Sequence, residues 1–460
     1  KIHGVLIWKM LEVSMFLLKY LEVKENEKGV LNIDFIGNRQ VNDSQIFSTL
    51  ILGENGTGKS FLLKTIADVF IYISKAQIYK RKPKFKYPKF CVKYSIDGNE
   101  YYIKKESGRD IFCWKDEDEI ALDEIELPKK VLAVSFMVND KFRFVKPGED
   151  IGSVYKYLGV RKSTNSTYTS SVMQNVFYSV VHMMKNQTIE ELEKVLTVLH
   201  FDSNVEISFK IESSNSELKA KKGNCIKKCK IDCNNPDYIK IGKILEELEQ
   251  AISPLDDKEK NKCNIAFYKN GRCIQFEDCS SGEKHMIFAF TGVLSSIESK
   301  SIILIDEPEI SLHPEWQIQY VSLLKKIFKK YDGCHFILAS HSHYLVSDLE
   351  SSTSSIISFK KSEMDENPIV EVLPYETYAW SAENIIYNVF GLRTARNYYF
   401  ESDLRELLTI VQDIEDNTDK IEDAKKLVEK LRKFVFNSED PLCVVIEQSA
   451  EILEKCTQKD

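Results

Sequence analysis

Short continuous apolar runs alternate with stretches of helical period through the middle of this chain. Phe47 to Leu52 is one such run, and Phe61 to Ile71 after it repeats apolar residues at helical spacing. Val131 to Phe136, Ser301 to Ile305 and Gly333 to Ala339 are others, with a helix predicted over about 314–330 between the last two. Strands apolar on both faces and joined by helices belong in a largely parallel sheet covered by helices.

Elsewhere the period drops to two. Residues 16–37 alternate about Asn26-Glu-Lys-Gly29 and predict a hairpin ahead of the strand at 47. Residues 90–124 alternate again, with a turn at Asp97-Gly98-Asn99, and predict an antiparallel meander. Asn264 to Phe276 reads as a hairpin closed by Asn270-Gly271, a pair suited to a type I′ turn. Helical patterns at 172–200 and 236–253 flank the lysine-rich segment 219–230, so 145–262 reads as a mostly helical inserted arm. Past 350 come strand-like Ser354 to Lys360 and Pro368 to Leu373, then helices near 381–390, 402–415, 419–434 and 441–455. The expected division is 1–144, the insertion 145–262, the returning lobe 263–350 and a mainly helical region 351–460.

Composition narrows the class without naming a ligand. The chain has 460 residues, 43% hydrophobic and 29% charged, which suits a globular protein with a large core. Its net charge of −7 offers no global attraction to nucleic acid, so any such contact must be local. Lys75 to Lys89 is the local candidate: Lys75, Lys80, Arg81, Lys82, Lys84, Lys86 and Lys89 occur with no acid, interleaved with Tyr79, Phe85 and Tyr87. It reads either as a nucleic-acid patch with stacking aromatics or as a solvated loop broken by Pro83 and Pro88. Eleven scattered cysteines point to a reducing cytoplasm. Cys225, Cys229 and Cys233 are the one regular series, read as reduced thiols on a lysine-rich surface, with a metal as the alternative. The apolar start is broken by Lys9, Glu12 and Lys19, so no membrane span is expected there. The sequence does not begin with Met; Met10 and Met15 are candidate starts, the second of which would make residues 1–14 extra.

The candidate chemistry begins at Gly53-Glu-Asn-Gly-Thr-Gly-Lys-Ser60, between the first apolar run and the first helical stretch. Glycines let successive backbone N–H groups curl round a phosphate, and the following helix adds its positive end. Gly53, Asn55, Gly56, Gly58, Lys59 and Ser60 are the candidate nucleotide-binding residues, with Lys59 on the β- and γ-phosphates of ATP and Ser60 on Mg²⁺. Ile303-Leu-Ile-Asp306-Glu307 is an apolar strand ending in two carboxylates, a Walker B arrangement. Asp306 is the second candidate metal ligand, and Glu307 the candidate base for an attacking water.

Asp278-Cys-Ser280-Ser281-Gly282-Glu283-Lys284 resembles the signature motif of ABC-type ATPases. The resemblance implies that Ser280, Ser281 and Gly282 grip the γ-phosphate held by another copy, and hence an ATP-bridged dimer or higher homo-oligomer. Ser311 to Glu315 stands where such proteins have a D-loop, and His341 in Leu338-Ala-Ser-His-Ser-His343 matches the switch histidine, a catalytic role. His343 has no counterpart and is read as structural. With Asp306-Glu-Pro-Glu309 followed by Leu312-His-Pro314, the chain looks like the RecF/OLD branch of ABC-type ATPases. That implies an α/β fold: a P-loop ABC-type head with mixed sheet, antiparallel β meander, helical insertion and helical C-terminal region.

The chain departs from the pattern at one point, since no glutamine occurs from 78 to 173, where a Q-loop residue belongs. Ser135, Asn139 or Asp140 is left to replace it. The glycine turn and Asp-x-Asp pair of a TOPRIM nuclease are not found after 350. The chain therefore resembles the ATPase subunits of bacterial anti-phage systems of Septu or PARIS type. Such a subunit acts with a separate effector, a nuclease of HNH or TOPRIM type or a toxin. A nucleotide-gated scaffold with little turnover and a DNA-repair ATPase of RecF type stand beside this reading. Leu404, Leu407, Leu408, Val411 and Ile414 form an apolar helix face suited to a partner helix or to packing within the chain.

Overall fold

The chain's apolar runs assemble, in a computed structural model, into a sheet whose strand ends carry the candidate chemistry. The structure describes residues 15–25, 28–37, 39, 41, 46–79, 85–107, 111–145, 154–161, 168–212, 224–251, 263–346, 349–350, 352–361, 368–373, 384–385, 398–412, 420–435 and 441–457. The chain divides into two compact units, residues 1–385 and 386–460.

In chain order, β1 (Phe16–Glu25) and β2 (Lys28–Asp34) precede β3 (Phe47–Gly53) and α1 (Lys59–Ile78). Then come β4 (Lys89–Ile96), β5 (Asn99–Lys105), β6 (Ile111–Lys115), β7 (Asp118–Glu119), β8 (Val131–Ser135) and β9 (Tyr155–Gly159). Two helices, α2 (Tyr168–Lys185) and α3 (Glu191–Val198), lead to β10 (Asn204–Glu212), β11 (Asn224–Asp232) and α4 (Tyr238–Ala251). After them stand β12 (Asn264–Lys269), β13 (Arg272–Gln275), α5 (Ser281–Leu294), β14 (Ile302–Asp306), α6 (Pro314–Ile327), β15 (His335–Ser340), β16 (Ser354–Lys360) and β17 (Ile369–Val372).

The central sheet runs β17-β16-β3-β15-β14-β8-β9, with every pairing parallel except that of β17. Every residue of β3, β8, β14 and β15 is buried, as strands covered on both faces require. The register aligns the strand ends: Asp306 pairs with Ala339 and Ser135, and Ser340 with Leu52. All four strands therefore end on one side of the sheet, where open α/β sheets bind ligands.

The meander is present as the six-stranded sheet β2-β1-β4-β5-β6-β7. Its inner face packs on α1 through Phe16, Phe70 and Tyr94, whose ring centroids lie 5.4–5.8 Å apart. Truncating Phe70 to alanine would cost about 3–5 kcal/mol. His335 staples the two sheets: Leu18 N donates to its Nδ1 at 3.1 Å, and Nε2 lies 2.8 Å from Thr49 Oγ1. Tyr72 packs with Phe85 and Phe90, and Tyr87 is buried. Of the two readings of that stretch, stacking on nucleic acid by Phe85 and Tyr87 is not supported, because Tyr87 is buried and Phe85 packs partly buried against the core. Residues 80–84 of that basic stretch lie outside the described residues.

The 145–262 segment differs from a mostly helical arm in two ways. It supplies β9 to the central sheet, and β10 and β11 to a four-stranded sheet β11-β10-β12-β13. The reason is legible in β10: Val205, Ile207 and Phe209 alternate inward at strand period. Its helices also lie on the head, since α2 and α3 pack against α5. Lys330 past α6 pairs with Glu191 at 3.0 Å. Cys229 and Cys233 are buried and burial pushes both thiols up, Cys233 to about 12. Among the described residues no cluster of His, Cys, Asp or Glu is placed to hold a metal ion in this way. The turn expected at Asn270-Gly271 has both φ angles positive, +51° and +75°, as a type I′ turn needs. Asp202 accepts both backbone N–H groups, at 3.1 and 2.8 Å.

The 386–460 unit contains α7 (Tyr398–Gln412), α8 (Ile421–Arg432) and α9 (Pro441–Thr457). Leu407, Ile410, Val428, Leu431, Ile446 and Leu453 form its core, with Leu404 and Val411 against it. The helix face noted in the sequence is thus mostly spent within the unit; Leu408 is exposed, and Ile414 lies outside the described residues. The unit begins after 385, and β16 belongs to the central sheet, so the region expected from 351 starts later. Among the described residues no helix is long and apolar enough to cross a membrane.

Candidate functional site

β3 delivers the chain into the turn 53–58 before α1 begins at Lys59. Gly56 and Gly58 sit at φ +81° and +99°, where a side chain is strained, and a Cβ on either would meet open space. The backbone there faces a cradle, with Asn55 exposed on its rim. The N-cap position of α1 is Gly58, which makes no side-chain cap, so first-turn N–H groups and the helix dipole point at any anion that occupies the cradle. Gly53 answers to packing, because a Cβ there would stand 2.2 Å from the Phe359 carbonyl oxygen.

Lys59 is buried, and its Nζ donates to the carbonyls of Gly53 at 2.9 Å and Glu54 at 3.1 Å. Burial lowers its pKa, against the pull of Glu307, Glu309 and Asp306. The next residue, Ser60, donates from Oγ to Asp306 Oδ1 at 2.9 Å. Burial pushes the Asp306 carboxyl up to about 6, opposed by that Ser60 bond. A hydroxyl and a carboxylate in contact give two hard oxygen ligands of the kind Mg²⁺ takes. Open amides, a buried ammonium and this oxygen pair together fit a nucleotide with its divalent cation.

Glu307 leaves β14 at φ +53°, a conformation that costs a non-glycine residue about 1–3 kcal/mol. Its Oε1 lies 2.9 Å from His341 Nε2, and that same nitrogen is 3.0 Å from Lys59 Nζ. Burial raises the Glu307 pKa, but the contacts with His341 and Glu309 and the Lys59 charge outweigh it and hold the carboxyl below its ordinary range. Lys59, Ser60, Asp306, Glu307 and His341 are therefore brought together from three adjacent strand ends.

Ser280, Ser281 and Gly282 make their contacts elsewhere. Ser280 is the N-cap of α5: its Oγ accepts from Glu283 N at 3.2 Å, and its own N–H donates to Glu283 Oε2 at 2.8 Å. Both serines are exposed. Gly282 is needed for close approach, since a Cβ would meet Ser311 O at 2.9 Å and Trp316 at 3.0 Å.

The loop after β8 separates the three candidates for the missing glutamine. Ser135 is paired with Asp306 in the ladder, and its Oγ accepts from Met137 N at 3.2 Å. Asp140 is committed elsewhere, accepting from Tyr157 Oη and from Phe142 N with Arg161 at 3.5 Å. Asn139 lines an open cleft of about 520 Å³ with Met137, Val138, Ser281 and Ser311.

Two residues escaped the sequence reading. Glu309 is half-buried beside Glu307, its carboxyl pushed up to about 7 by desolvation and by the Glu307 charge. His285 stacks on Phe136 with centroids 4.4 Å apart and reaches the Ile310 carbonyl through Nδ1; burial pulls it down to about 4. For Glu309 a signal existed, a third acid after the Asp306-Glu307 pair. Nothing in the local sequence marks His285.

Comparison with known proteins bears on this site. The family model AAA_21, described as "AAA domain, putative AbiEii toxin, Type IV TA system", matches residues 234–347, about a quarter of the chain. The match includes Ser280 to Gly282, Asp306, Glu307 and His341, but not the 53–60 turn. The chain is 29% identical to "Septu protein PtuA" of Bacillus thuringiensis over 33% of its own length and 40% of that protein's. It is 27% identical to "Retron Vc95 probable ATPase" of Vibrio cholerae serotype O1 biovar El Tor, over 37% of this chain and 34% of that protein. The chain thus spans well under half the length of these curated relatives. Among solved structures, the SMC head domain from Thermotoga maritima is 12% identical with a TM-score of 0.37, covering 78% of this chain and 100% of that one.

Proposed function

We propose that this chain, an ABC-type ATPase of the defence-related branch, binds and hydrolyses ATP with Mg²⁺ and passes its nucleotide state to a separate effector. The observation that carries the reading is the convergence of Lys59, Ser60, Asp306, Glu307 and His341 at three parallel strand ends, linked by contacts of 2.9–3.0 Å. The amides of Gly56 and of 58–60, with Lys59, bind the phosphates, and Ser60 and Asp306 hold the cation. Bound Mg²⁺ would neutralise charge on the transferring phosphoryl group. Glu307, held anionic at neutral pH, orients a water and takes its proton at a carboxylate oxygen. His341 keeps that carboxylate in place through Nε2.

The exposed turn Ser280-Ser281-Gly282 serves a second copy, so two chains meet head-to-tail with a nucleotide between each pair of half-sites. The effector is a nuclease of HNH or TOPRIM type or a toxin, a reading supported by the partial likeness to a Septu protein. A second reading, a nucleotide-gated scaffold with little turnover, is favoured by one observation: Ser135 stands beside Asp306 where a glutamine would belong. Phosphate release measured alongside ATP-dependent mass separates the two. Hydrolysis with dimers supports the ATPase, dimers without phosphate release support the scaffold, and neither response refutes both.

A further inference from the structure

The turn that follows β14 contains a half-buried acid, Glu309, to which the proposed function gives no task. Glu309 Oε1 accepts the backbone N–H of His341 at 2.6 Å and that of Ser342 at 3.1 Å. These amides lie just past the last ladder residue of β15, where the sheet offers them no carbonyl, and a buried N–H left unpaired costs about 1–3 kcal/mol. The Ser342 N–H is shared with Ser340 Oγ at 2.8 Å, so the His341 amide is the one that depends on this carboxylate oxygen.

The turn bearing Glu309 is itself anchored. Leu312 N donates to Glu309 O at 3.0 Å, and the carbonyl of Ile310 is held by His285, whose ring is fixed on Phe136. On the other side, Ser342 Oγ donates to Gln317 of α6. Glu309 is therefore a rigid post, and what it grips is the main chain of the residue whose ring stands between Lys59 and Glu307.

We propose that Glu309 is the positioning residue for His341: by pinning the His341 and Ser342 amides it holds the imidazole between Lys59 and Glu307. The kinetic side of this inference rests on the ATPase reading; the structural side does not. The second oxygen, Oε2, is buried and accepts no hydrogen bond of good geometry among the described residues, although the Glu307 carboxyl and the Ser340 hydroxyl lie beside this side chain. Glutamine at 309 keeps the Oε1 acceptor and puts an amide N–H₂ in that second position, so it should preserve the grip where alanine cannot.

The test compares wild type, Glu309→Gln and Glu309→Ala by backbone hydrogen exchange over 339–346 and by steady-state ATP hydrolysis with ATP affinity. In Glu309→Ala the His341 amide should exchange at least about tenfold faster, with Ser342, which keeps Ser340 Oγ as acceptor at 2.8 Å, changing less and α1 unchanged. Its kcat should fall with ATP affinity kept, and Glu309→Gln should restore both readouts. If alanine prevents folding, Glu309→Met, of similar length and without an acceptor, takes its place. Unchanged exchange in Glu309→Ala, or a glutamine variant as damaged as alanine, overturns the proposal. Should the wild type hydrolyse no ATP, the ATPase reading fails, while exchange alone still decides whether Glu309 pins the loop.

Discussion

Helices α1 and α5 both follow a small N-cap residue, Gly58 and Ser280, and both carry candidate phosphate-binding residues, yet their first turns are finished in opposite ways. At α1 the N-cap is a glycine without a side-chain cap, and the space before it is open. At α5 Ser280 and Glu283 satisfy one another's backbone N–H groups in a capping box. An uncapped N-terminus keeps its donors for an anion at a cost in stability; a capped one is stable alone and has fewer donors to give. The difference suits a division of labour in which α1 binds the phosphates first and α5 closes on them from another copy.

The largest expected effect is on the open end. Lys59→Ala should weaken ATP binding by two or more orders of magnitude in a titration, each order being about 1.4 kcal/mol, because the buried ammonium is the one cation among the convergent residues. Normal affinity in that variant would remove the distinction between the two helix ends. Glu307→Gln should lower kcat by about 10²–10⁴-fold in a phosphate-release assay with binding kept.

Ser280→Ala sharpens the contrast at the closed end. Loss of the cap should cost about 1 kcal/mol and lower Tm by a few degrees in calorimetry. A matching change at Gly58 has no cap to remove. The smallest effect is a pH dependence. Burial raises the Glu283 pKa, but the Ser280 N–H and Lys269, at 3.1 Å, outweigh it and hold the carboxyl below its ordinary value of 4.5. A depressed folded pKa adds stability above 4.5 that is lost as the pH falls through the folded value. The stability gap between wild type and Glu283→Gln, measured by denaturant melts, should therefore close as the pH is taken from neutrality to below that value.

Much of this was legible in the sequence because period and register are local. The runs at 47–52, 131–136, 301–305 and 333–339 are the buried strands β3, β8, β14 and β15, and alternation marked the meander and the Asn270-Gly271 hairpin. Residues at the tips of apolar runs met in space because parallel strands in register end together. What stayed hidden depended on long-range packing. β10 and β11 were missed between two helical patterns, although Val205, Ile207 and Phe209 alternate. Phe85 and Tyr87 looked available among lysines, but the side of a loop that faces a core is set by what packs there. Glu309 stood in the Asp306-Glu-Pro-Glu309 series, but its role stayed hidden, since its partners are backbone amides that sequence cannot distinguish.

The central claim, that one catalytic site is built from two copies of this chain, is tested most directly by mixing two disabled variants. Lys59→Ala spoils the binding half, and Ser281→Arg, at an exposed position, obstructs the closing half. Neither should hydrolyse ATP alone, but co-refolded together, random pairing leaves roughly a quarter of the wild-type sites intact and hydrolysis should return accordingly. A mixture as inactive as its components, beside an active wild type, would contradict the account.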